Sequence, residues 1–444
     1  MTLNAKQSLA FQDFIHGHNV FITGPAGCGK SYLIDNIKTH CRTYNIICGI
    51  TALTGAAACI IGGQTLHSWG GLGLAEGPVE KIIQKIVPKT PISRRWMDTR
   101  VLIIDEISMC SSELFNKLNK IAQGIRHDTR FFGGIQLVLS GDFAQLEPIG
   151  TDMMLAFETE IWKKHMVDHT HYLDEIIRQK DPAFQKLLCE IRMGHVSERT
   201  KELLRGRLVA DESEIDILLE NEHQTIRATL LYPHKTSVEE INQRELQKLK
   251  DGGAVSQIYL SNDYSRMKNS REERKLTEKD SLNLDKICNA LRHLELTVGT
   301  QVMLVTNIDF SRGLVNGSRG VVVEFIHNDP VVVFDNGEKC QITSMIFDYD
   351  HGHEHVFRKQ YPLILAWAMT IHKCQGTTLS HVVADLSNVF CNAQTYVTLS
   401  RAKTLEGLGL IGINFKKIKC NPKVQSYYKS LTNQQLTNQQ LTNQ

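Results

Sequence analysis

A glycine-rich segment between a strand-like run and a helix-like run constrains this chain more than any other feature. Residues 20–33 read VFITGPAGCGKSYL, and the pattern G-x-x-x-x-G-K-S is complete from Gly24 to Ser31. Loops of this kind turn backbone N–H groups towards phosphates, and the helix that follows presents its positive end to the anion. The segment therefore predicts a nucleotide-binding α/β domain.

The residue types in this loop suggest individual roles. Lys30 supplies a cation for the β- and γ-phosphates, and the Ser31 hydroxyl is a candidate Mg²⁺ ligand. A chance glycine turn is the alternative, but the strand and the helix on either side argue against it. The predicted nucleotide contacts are Gln7, discussed below, and the loop residues Gly24, Pro25, Ala26, Gly27, Cys28, Gly29, Lys30, Ser31 and Tyr32.

A second motif, VLIIDEISM, supplies the acidic groups that a phosphate loop needs. Asp105 follows four apolar residues and is the predicted second Mg²⁺ ligand, while Glu106 is predicted to polarise the attacking water. An ordinary acidic strand end is the alternative reading, and the complete loop upstream makes it the weaker one. Together the two motifs predict an ATP hydrolase that uses Mg²⁺.

Three more polar residues follow buried-looking runs further along the chain. Gln145 in LVLSGDFAQLEPI is a candidate γ-phosphate sensor. Arg401 follows VTLS, which we interpret as a buried strand, and Arg178 lies in LDEIIRQKD. We expect both arginines to reach the γ-phosphate from a second domain, where such groups are worth about 10³–10⁵ in turnover. This arrangement predicts a clamp that closes on ATP.

Composition limits the classes of partner. Lys plus Arg number 50 and Asp plus Glu 48, so any nucleic-acid contact must come from local patches. The 11 cysteines show no paired spacing, which favours reduced thiols in an intracellular setting. Neither a signal-peptide core nor an apolar run of transmembrane length is visible. The sequence predicts a soluble intracellular protein without a membrane partner, and does not distinguish nucleus, cytoplasm or viral replication site.

The order and content of the motifs resemble the Pif (petite integration frequency) family of DNA helicases, in superfamily 1B and related to RecD-type helicases. The resemblance runs from about residue 3 to residue 410. It is carried by LNAKQ, ALTGAAACIIGGQTLHSWGGLG, RFFGGIQLVLSGDFAQLEPI, LDEIIRQKDPAF, GLVNGSRG, TIHKCQGTTL and YVTLSRA, which occur in the family's order. Leu53, Phe131 and Glu147 stand where the family usually has proline, and these departures remove no catalytic group.

The resemblance implies further site residues. Gln7 would contact adenine, and the DNA contacts would be Thr54, Gly55, Thr65, His67, His372 and Lys373. Trp69 and Trp367 have two possible roles that the sequence does not separate: stacking on bases and packing in the core. The alternating His351, His353 and His355 could hold a metal on one face of a strand, although a solvated hairpin is the favoured interpretation.

The resemblance also implies the architecture: an α/β protein with two RecA-like P-loop domains, a small wedge insertion and an inserted SH3-like β-barrel. We predict a first RecA-like domain at residues 1–165 with the wedge at about 56–80, a second at 166–298 and 359–430, and the barrel at 299–358. The charged stretch 261–286 predicts a flexible insertion. The LTNQQ repeat predicts a disordered polar tail at 431–444.

The implied function is an ATP-dependent 5′–3′ DNA helicase that translocates on single-stranded DNA and unwinds duplexes in replication, repair or recombination. Single-stranded DNA and DNA junctions are the expected partners of a monomeric motor, and G-quadruplexes and RNA–DNA hybrids are further candidates. Two alternatives stay open: an RNA helicase of the same superfamily, and a non-motor DNA-binding ATPase. The sequence does not determine the host, pathway, preferred DNA structure, step size, protein partners or role of the repeat.

Overall fold

The computed structural model of the chain describes residues 2–442, apart from residues 74, 87–90, 149–153, 210–225, 268–269, 271, 286–287, 310, 352–353 and 372–373. The chain forms two compact units. The first contains Met1–Gly206, Asn388–Leu405 and Asn414–Gln444, and the second contains Arg207–Ser387 and Glu406–Ile413.

The first unit is built around a six-stranded, all-parallel sheet in the order β3-β2-β4-β5-β1-β6. Its strands are β1 (Val20–Thr23), β2 (Cys48–Ala52), β3 (Gln64–Thr65), β4 (Val101–Asp105), β5 (Gln136–Gly141) and β6 (Thr170–Tyr172). Its helices are α1 (Ala5–Ile15), α2 (Lys30–Thr43), α3 (Gly55–Ile60), α4 (Leu66–Gly70), α5 (Val79–Lys85), α6 (Pro91–Asp98), α7 (Ser112–Arg126), α8 (Glu160–His165), α9 (Pro182–Arg192), α10 (Glu198–Arg205), α13 (Gln394–Leu399) and α14 (Pro422–Thr442).

Both faces of the first sheet are apolar, which is why helices cover both. All residues of β1 and β4 are buried. Their side chains alternate between two hydrophobic clusters: Val20 and Ile22 pack in one, and Phe21 packs in the other. Continuous apolar runs of this kind are typical of parallel strands covered on both sides. The parallel α/β core that the sequence predicts is therefore confirmed.

The predicted wedge region contributes to the core of the first unit. Trp69 is 3% exposed, and its ring meets the Trp96 ring edge-on with centroids 4.7 Å apart. Trp367, in the second unit, is also buried. For both tryptophans the structure therefore favours core packing over stacking on bases.

The second unit combines a parallel sheet with antiparallel ones. A four-stranded parallel sheet has the order β19-β7-β20-β21, and five-, four- and two-stranded antiparallel sheets have the orders β15-β14-β13-β12-β18, β10-β9-β17-β16 and β11-β8. The elements are β7 (Thr229–Tyr232), α11 (Lys235–Asp251), β8 (Gln257–Leu260), β9 (Asn262–Met267), β10 (Glu273–Lys275), α12 (Glu278–Leu284), β11 (His293–Leu296), β12 (Gln301–Leu304), β13 (Arg319–Ile326), β14 (Asp329–Phe334), β15 (Lys339–Gln341), β16 (Met345–His351), β17 (Glu354–Gln360), β18 (Leu363–Leu365), β19 (Ala368–Thr370), β20 (Val382–Leu386) and β21 (Leu408–Ile413).

Several organisational expectations differ from the structure. The first unit continues past the predicted boundary at residue 165 to Gly206 and also takes up two later segments. Strands β12 to β15 lie within the predicted barrel region and form an antiparallel sheet with β18, while its SH3-like character stays a prediction. The charged stretch 261–286, predicted to be flexible, contains β9, β10 and α12. A buried ion pair between Arg358 and Asp263, with Nη2 and Oδ2 2.6 Å apart, fixes β9 to β17.

The histidine-rich segment forms a hairpin, which is the interpretation that the sequence favoured. His351 ends β16 and pairs with Glu354 of β17, so the residues do not share one strand. His355 Nδ1 lies 2.9 Å from Asp348 Oδ1, and His353 lies outside the described residues.

The C-terminal repeat was predicted to be a disordered tail, whereas in the structure α14 continues through it to Thr442. The start of the helix is docked by Val424, Tyr428 and Leu431, which are buried and recur at the spacing of one helical face. Across the described part of the chain, none of the helices is both long enough and apolar enough to cross a membrane.

Candidate nucleotide-binding site

The glycine-rich loop joins β1 to α2, as the sequence predicts. Gly27 and Gly29 have φ values of 80° and 86°, which favour glycine. A Cβ on Gly27 would lie 2.5 Å from the Cβ of Arg178, and one on Gly29 would lie 2.6 Å from Nε2 of Gln7. The glycines are therefore needed both for the turn and for the close approach of two predicted ligand-binding side chains.

The lysine of the loop points into the cradle. Its Nζ donates to the carbonyl oxygens of Gly24 at 2.8 Å and Pro25 at 3.0 Å. Gly29 caps α2 without a side-chain hydrogen bond, and Ser31 is exposed in the first turn. The uncapped N–H groups at this helix start and the ammonium group form a cradle suited to phosphate oxygens.

The predicted adenine contact lies beside this loop. Gln7 is 2% exposed, and its Nε2 lies 3.4 Å from the Gly29 carbonyl oxygen. Its Oε1 accepts from the backbone N–H of Asn4 at 3.0 Å, while Asn4 Oδ1 accepts from the Gln7 N–H at 2.9 Å. This reciprocal capping of α1 holds the Gln7 side chain against the loop.

The predicted acidic pair follows β4. Asp105 is 8% exposed; burial raises its pKa, against the opposing effects of the Ser140 hydroxyl, the Glu106 backbone N–H and the charge of Lys30. Glu106 has φ 55° and ψ 43°, a left-handed conformation that costs a residue with a side chain about 1–3 kcal/mol. Such strain is concentrated at functional sites, and here it occurs at the predicted water-polarising residue.

The two predicted arginines converge on the same region. The Arg178 backbone N–H donates to the Gly27 carbonyl oxygen at 3.2 Å, and its Nη1 donates to the Ser400 carbonyl oxygen at 3.0 Å. Arg401 is 1% exposed and donates through Nε to the Val397 carbonyl oxygen at 2.9 Å. Burial, followed by repulsion from Arg401, lowers the pKa of Arg178. Two neighbouring guanidinium groups are an arrangement that an anion would stabilise.

Two expectations about these arginines are corrected. Both residues belong to the first unit together with the glycine-rich loop, and not to the second. The run before Arg401, predicted to be a strand, is the helix α13. All six residues of α13 are buried, and a short apolar run of this length does not by itself distinguish a strand from a buried helix.

Two residues that the sequence did not single out complete this side of the site. The Tyr396 hydroxyl accepts a hydrogen bond from the Ala26 backbone N–H at 2.8 Å, and Tyr396 is 1% exposed. Gln179 donates through Nε2 to the carbonyl oxygens of Ala402 at 2.9 Å and Ser400 at 3.3 Å. Both lie in segments quoted above, one inside YVTLSRAK and one next to Arg178, and this proximity was the only available signal.

The predicted sensor follows a member of a buried ion pair by three residues. Gln145 is 4% exposed, and its backbone N–H donates to the Asp142 carbonyl oxygen at 2.8 Å. The Asp142 carboxylate accepts from Arg192 Nη2 at 2.7 Å and Nε at 2.9 Å, and from the Tyr428 hydroxyl at 2.9 Å. The same hydroxyl lies 2.8 Å from Thr23 Oγ1. The network joins the carboxyl ends of β1 and β5. Arg192 and Tyr428 were not predicted to take part.

The predicted DNA-contact residues of the first unit lie at one end of the sheet. Thr54 lies two residues beyond β2, while Thr65 is the last residue of β3 and is opposite Ala52, the last residue of β2. Their hydroxyls accept from the backbone N–H groups of Ala57 at 3.2 Å and Ser68 at 3.3 Å, and so cap α3 and α4.

The structure shows less about the remaining predicted DNA contacts. Gly55 is the first residue of α3. Burial lowers the pKa of the half-buried His67. His372 and Lys373 lie outside the described residues.

Comparison with known proteins gives two family matches. Residues 2–202 match the family described as PIF1-like helicase, and residues 279–325 match the family described as DNA helicase Pif1, 2B domain.

Individual relatives agree with these matches. The chain is 38% identical over 440 residues to the ATP-dependent DNA helicase PIF1 of Xenopus laevis; the match covers 97% of the chain and 64% of the relative, so the chain spans just under two thirds of that protein. The crystal structure of Pif1 helicase from Candida albicans is similar with a TM-score of 0.81 and 36% identity, covering 97% of this chain and 100% of that one. The crystal structure of Pif1 helicase from Bacteroides in complex with ADP-AlF3 and ssDNA has a TM-score of 0.68 and 27% identity, and covers 98% of both chains.

Proposed function

The chain belongs to the PIF1-like helicase family, and we propose that it is an ATP-driven DNA helicase that moves 5′ to 3′ on single-stranded DNA. Its substrates would be single-stranded DNA and DNA junctions in replication, repair or recombination. A monomeric motor is the proposed working form, and G-quadruplexes and RNA–DNA hybrids are further proposed substrates.

One observation supports the ATPase part of this proposal most directly: Lys30 and Arg178 contact the glycine-rich loop, and Arg401 lies near Arg178, all within one compact unit. Lys30 donates to the loop carbonyls, the Arg178 backbone donates to Gly27, and Arg401 lies close enough to Arg178 to lower its pKa. Cations held close together before ligand binding suit the charge on a transferring γ-phosphoryl group. We propose that Lys30 and the two arginines stabilise this charge, and that Gln145 senses it.

The oxygen donors near the loop fit a Mg²⁺ ion. A serine hydroxyl in the first turn of α2 and a buried carboxylate at the end of β4 are hard ligands of the kind this ion prefers. A divalent cation would also favour the ionised form of Asp105, whose pKa burial raises. When bound, the ion would neutralise phosphate charge, with Ser31 and Asp105 as ligands. Glu106 would accept a hydrogen bond from the attacking water and orient it.

The DNA contacts are proposed on family membership. Thr54, Gly55, Thr65 and His67 lie on two segments that the β2–β3 pairing brings together, and we propose that these segments contact the strand, together with His372 and Lys373. Phosphate contacts of this kind release counterions, so stimulation of ATP hydrolysis by single-stranded DNA should weaken as salt rises.

A strand-displacement assay tests the proposal. Substrates with a 5′ tail, a 3′ tail or blunt ends, each as matched DNA and RNA duplexes, are compared with ATP and Mg²⁺. We expect separation only of the DNA duplex with a 5′ tail. Lys30→Ala should abolish it, while Lys85→Ala, a change at an exposed lysine of α5, should not.

Other outcomes of that assay would overturn parts of the proposal. Preference for the RNA duplex would indicate an RNA helicase, and preference for the 3′ tail would reverse the polarity. ATP hydrolysis stimulated by DNA without separation of any substrate would indicate a non-motor ATPase.

A further inference from the structure

A cluster of one carboxylate and three imidazoles lies at the end of the first sheet that is opposite the glycine-rich loop. Asp13 is on α1, His18 is in the connection from α1 to β1, and His169 and His171 belong to the segment that forms β6. Strand β6 is an edge strand that pairs with β1 in parallel, with His171 opposite Ile22. The glycine-rich loop leaves β1 at its carboxyl end, whereas His18 precedes its amino end. The cluster is therefore separate from the nucleotide site.

The four side chains are held together by specific contacts. Asp13 Oδ2 lies 2.9 Å from His169 Nδ1 and 2.9 Å from His171 Nε2. The ring of His18 is stacked on that of His169, with centroids 4.0 Å apart and planes inclined by 13°. The backbone fixes this arrangement, because the Phe21 N–H donates to the His169 carbonyl oxygen at 3.0 Å. Three separate elements thus place nitrogen and oxygen donors at one point.

The donor atoms have the composition of a metal site and lie close to the spacing that one needs. One ligand atom each from Asp13, His18 and His169 lies within 4.8 Å of the other two. In a tetrahedral site with bonds of about 2.0–2.1 Å, neighbouring ligands are about 3.4 Å apart, so small side-chain rotations would close the set. His18 is exposed, so its ring borders solvent into which it can rotate.

The chemistry favours a borderline cation over Mg²⁺ or Ca²⁺. Imidazole nitrogens suit Zn²⁺ and neighbouring first-row metals, whereas Mg²⁺ and Ca²⁺ prefer oxygen ligands alone. A metal-bound carboxylate is commonly held by a further hydrogen bond, and His171 is placed to supply one to Asp13. The partial exposure of Asp13 and His169, 29% for each side chain, leaves room for water as a fourth ligand.

We propose that Asp13, His18 and His169 form a binding site for Zn²⁺ or a similar divalent transition metal, with His171 orienting the carboxylate. The bound ion would join the end of α1 to β6. Because α1 also carries Gln7 beside the glycine-rich loop, the ion would stiffen the helix that borders the nucleotide site. The inference stands on this cluster alone and does not depend on helicase activity.

The test is a Zn²⁺ titration of the full chain under reducing conditions, without nucleotide and with Mg²⁺ in excess, read out by competition with a chromophoric chelator. We expect one equivalent whose affinity falls about tenfold or more in His18→Ala and in His169→Ala. His195→Ala, a change at an exposed histidine outside the cluster, should bind as the wild type does. Reduced cysteines also bind zinc. The site is therefore identified by the difference in affinity between variants, and not by the total amount of zinc bound.

Two further measurements keep the result unambiguous. Zn²⁺ should raise the melting temperature of the wild type and of His195→Ala, and should leave that of His18→Ala unchanged. His18 is exposed, so its replacement is expected to fold even if changes at Asp13 do not. Co²⁺ should give the visible absorption of a four-coordinate site in the wild type and in His195→Ala, and not in His18→Ala or His169→Ala. Absence of binding by the wild type, or wild-type affinity in both His18→Ala and His169→Ala, would overturn the proposal.

Discussion

The hydroxyl of Tyr396 accepts a hydrogen bond from the backbone N–H of Ala26 at a distance of 2.8 Å. Ala26 lies in the glycine-rich loop, and Tyr396 lies on α13, five residues before Arg401. The N–H groups of such loops donate to phosphates when a nucleotide binds. The tyrosine oxygen therefore accepts from an N–H group that a phosphate oxygen would use. Through this hydrogen bond, the segment that carries Arg401 is joined to the glycine-rich loop.

Replacing Tyr396 by phenylalanine should affect stability and nucleotide binding in opposite directions. The change leaves a buried N–H without its partner, which should lower the free energy of unfolding by about 1–3 kcal/mol. Nucleotide affinity should rise, because the phosphate no longer displaces a hydroxyl. Denaturant unfolding and titration with a fluorescent nucleotide measure the two effects. Tyr44→Phe, at an exposed tyrosine, is the control; a Tyr396→Phe protein with unchanged affinity would show that the contact does not compete with phosphate.

We expect Arg178 to contribute mainly to turnover, and Arg401 to contribute to both turnover and stability. Alanine at either position should lower DNA-stimulated turnover by about 10³-fold or more, with a smaller loss of ATP affinity, because the role proposed for the guanidinium is to stabilise transition-state charge. Lysine should rescue poorly, since it lacks the planar fork. Arg401→Ala should also lower the melting temperature, because Arg401 is buried and bonded to Val397 and Ser400. Arg178 is less buried than Arg401, so its replacement should cost less stability.

Turnover per folded molecule and melting temperature are measured together for these variants, with Arg94→Ala, a change at an exposed arginine of α6, as the control. If both alanine variants lose stability but keep wild-type turnover, the arginines are structural and the proposed phosphate contacts are wrong.

The Asp142–Arg192 pair predicts a specific acid sensitivity. Burial alone would raise the pKa of Asp142, but the charge and hydrogen bonds of Arg192 hold it below its usual value. A carboxylate with a depressed pKa in the folded state contributes stability above its unfolded pKa of about 3.9, and this stability is lost as the pH falls through the lower folded pKa. Unfolding by urea at stepwise lower pH should therefore show a loss that begins near pH 4.

The matching variant is Asp142→Asn. It leaves the buried Arg192 without its countercharge and should cost about 3–5 kcal/mol at neutral pH, with a flatter dependence on pH below 4 than the wild type. Asp98→Asn, at an exposed carboxylate, should follow the wild-type curve. Parallel acid profiles for wild type and Asp142→Asn would rule out this pair as the source of the sensitivity.

Two truncations should divide the C-terminal helix into a dispensable and a required part. Deletion of residues 432–444 removes the repeat but keeps Val424, Tyr428 and Leu431, so stability and strand separation should stay at wild-type levels. Deletion from residue 423 onwards also removes the Tyr428 hydroxyl from Asp142 and three buried apolar contacts. It should lower the melting temperature by several degrees and reduce ATP turnover. A large loss of activity with the shorter deletion would give the repeat a role of its own.

Local sequence was sufficient to predict where the glycine-rich loop and its acidic neighbour lie in the fold. The glycine-rich loop lies between β1 and α2, and Asp105 ends β4, because residue spacing and turn requirements act within a few residues. The parallel sheet could be predicted for a similar reason, since strands buried on both faces must be continuously apolar. Motif order added the family, which individual motifs after the loop could not.

Only the tertiary structure decided which distant residues meet. Tyr396 reaches Ala26 across 370 positions, and Tyr428 reaches Asp142 across 286. Helix α13 was mistaken for a strand because a short, fully buried run carries no periodicity, and the return of its segment to the first unit was missed. The cluster of Asp13, His18 and His169 was invisible for the same physical reason: its members are ordinary polar residues in sequence, and parallel pairing of β1 with β6 brings them together.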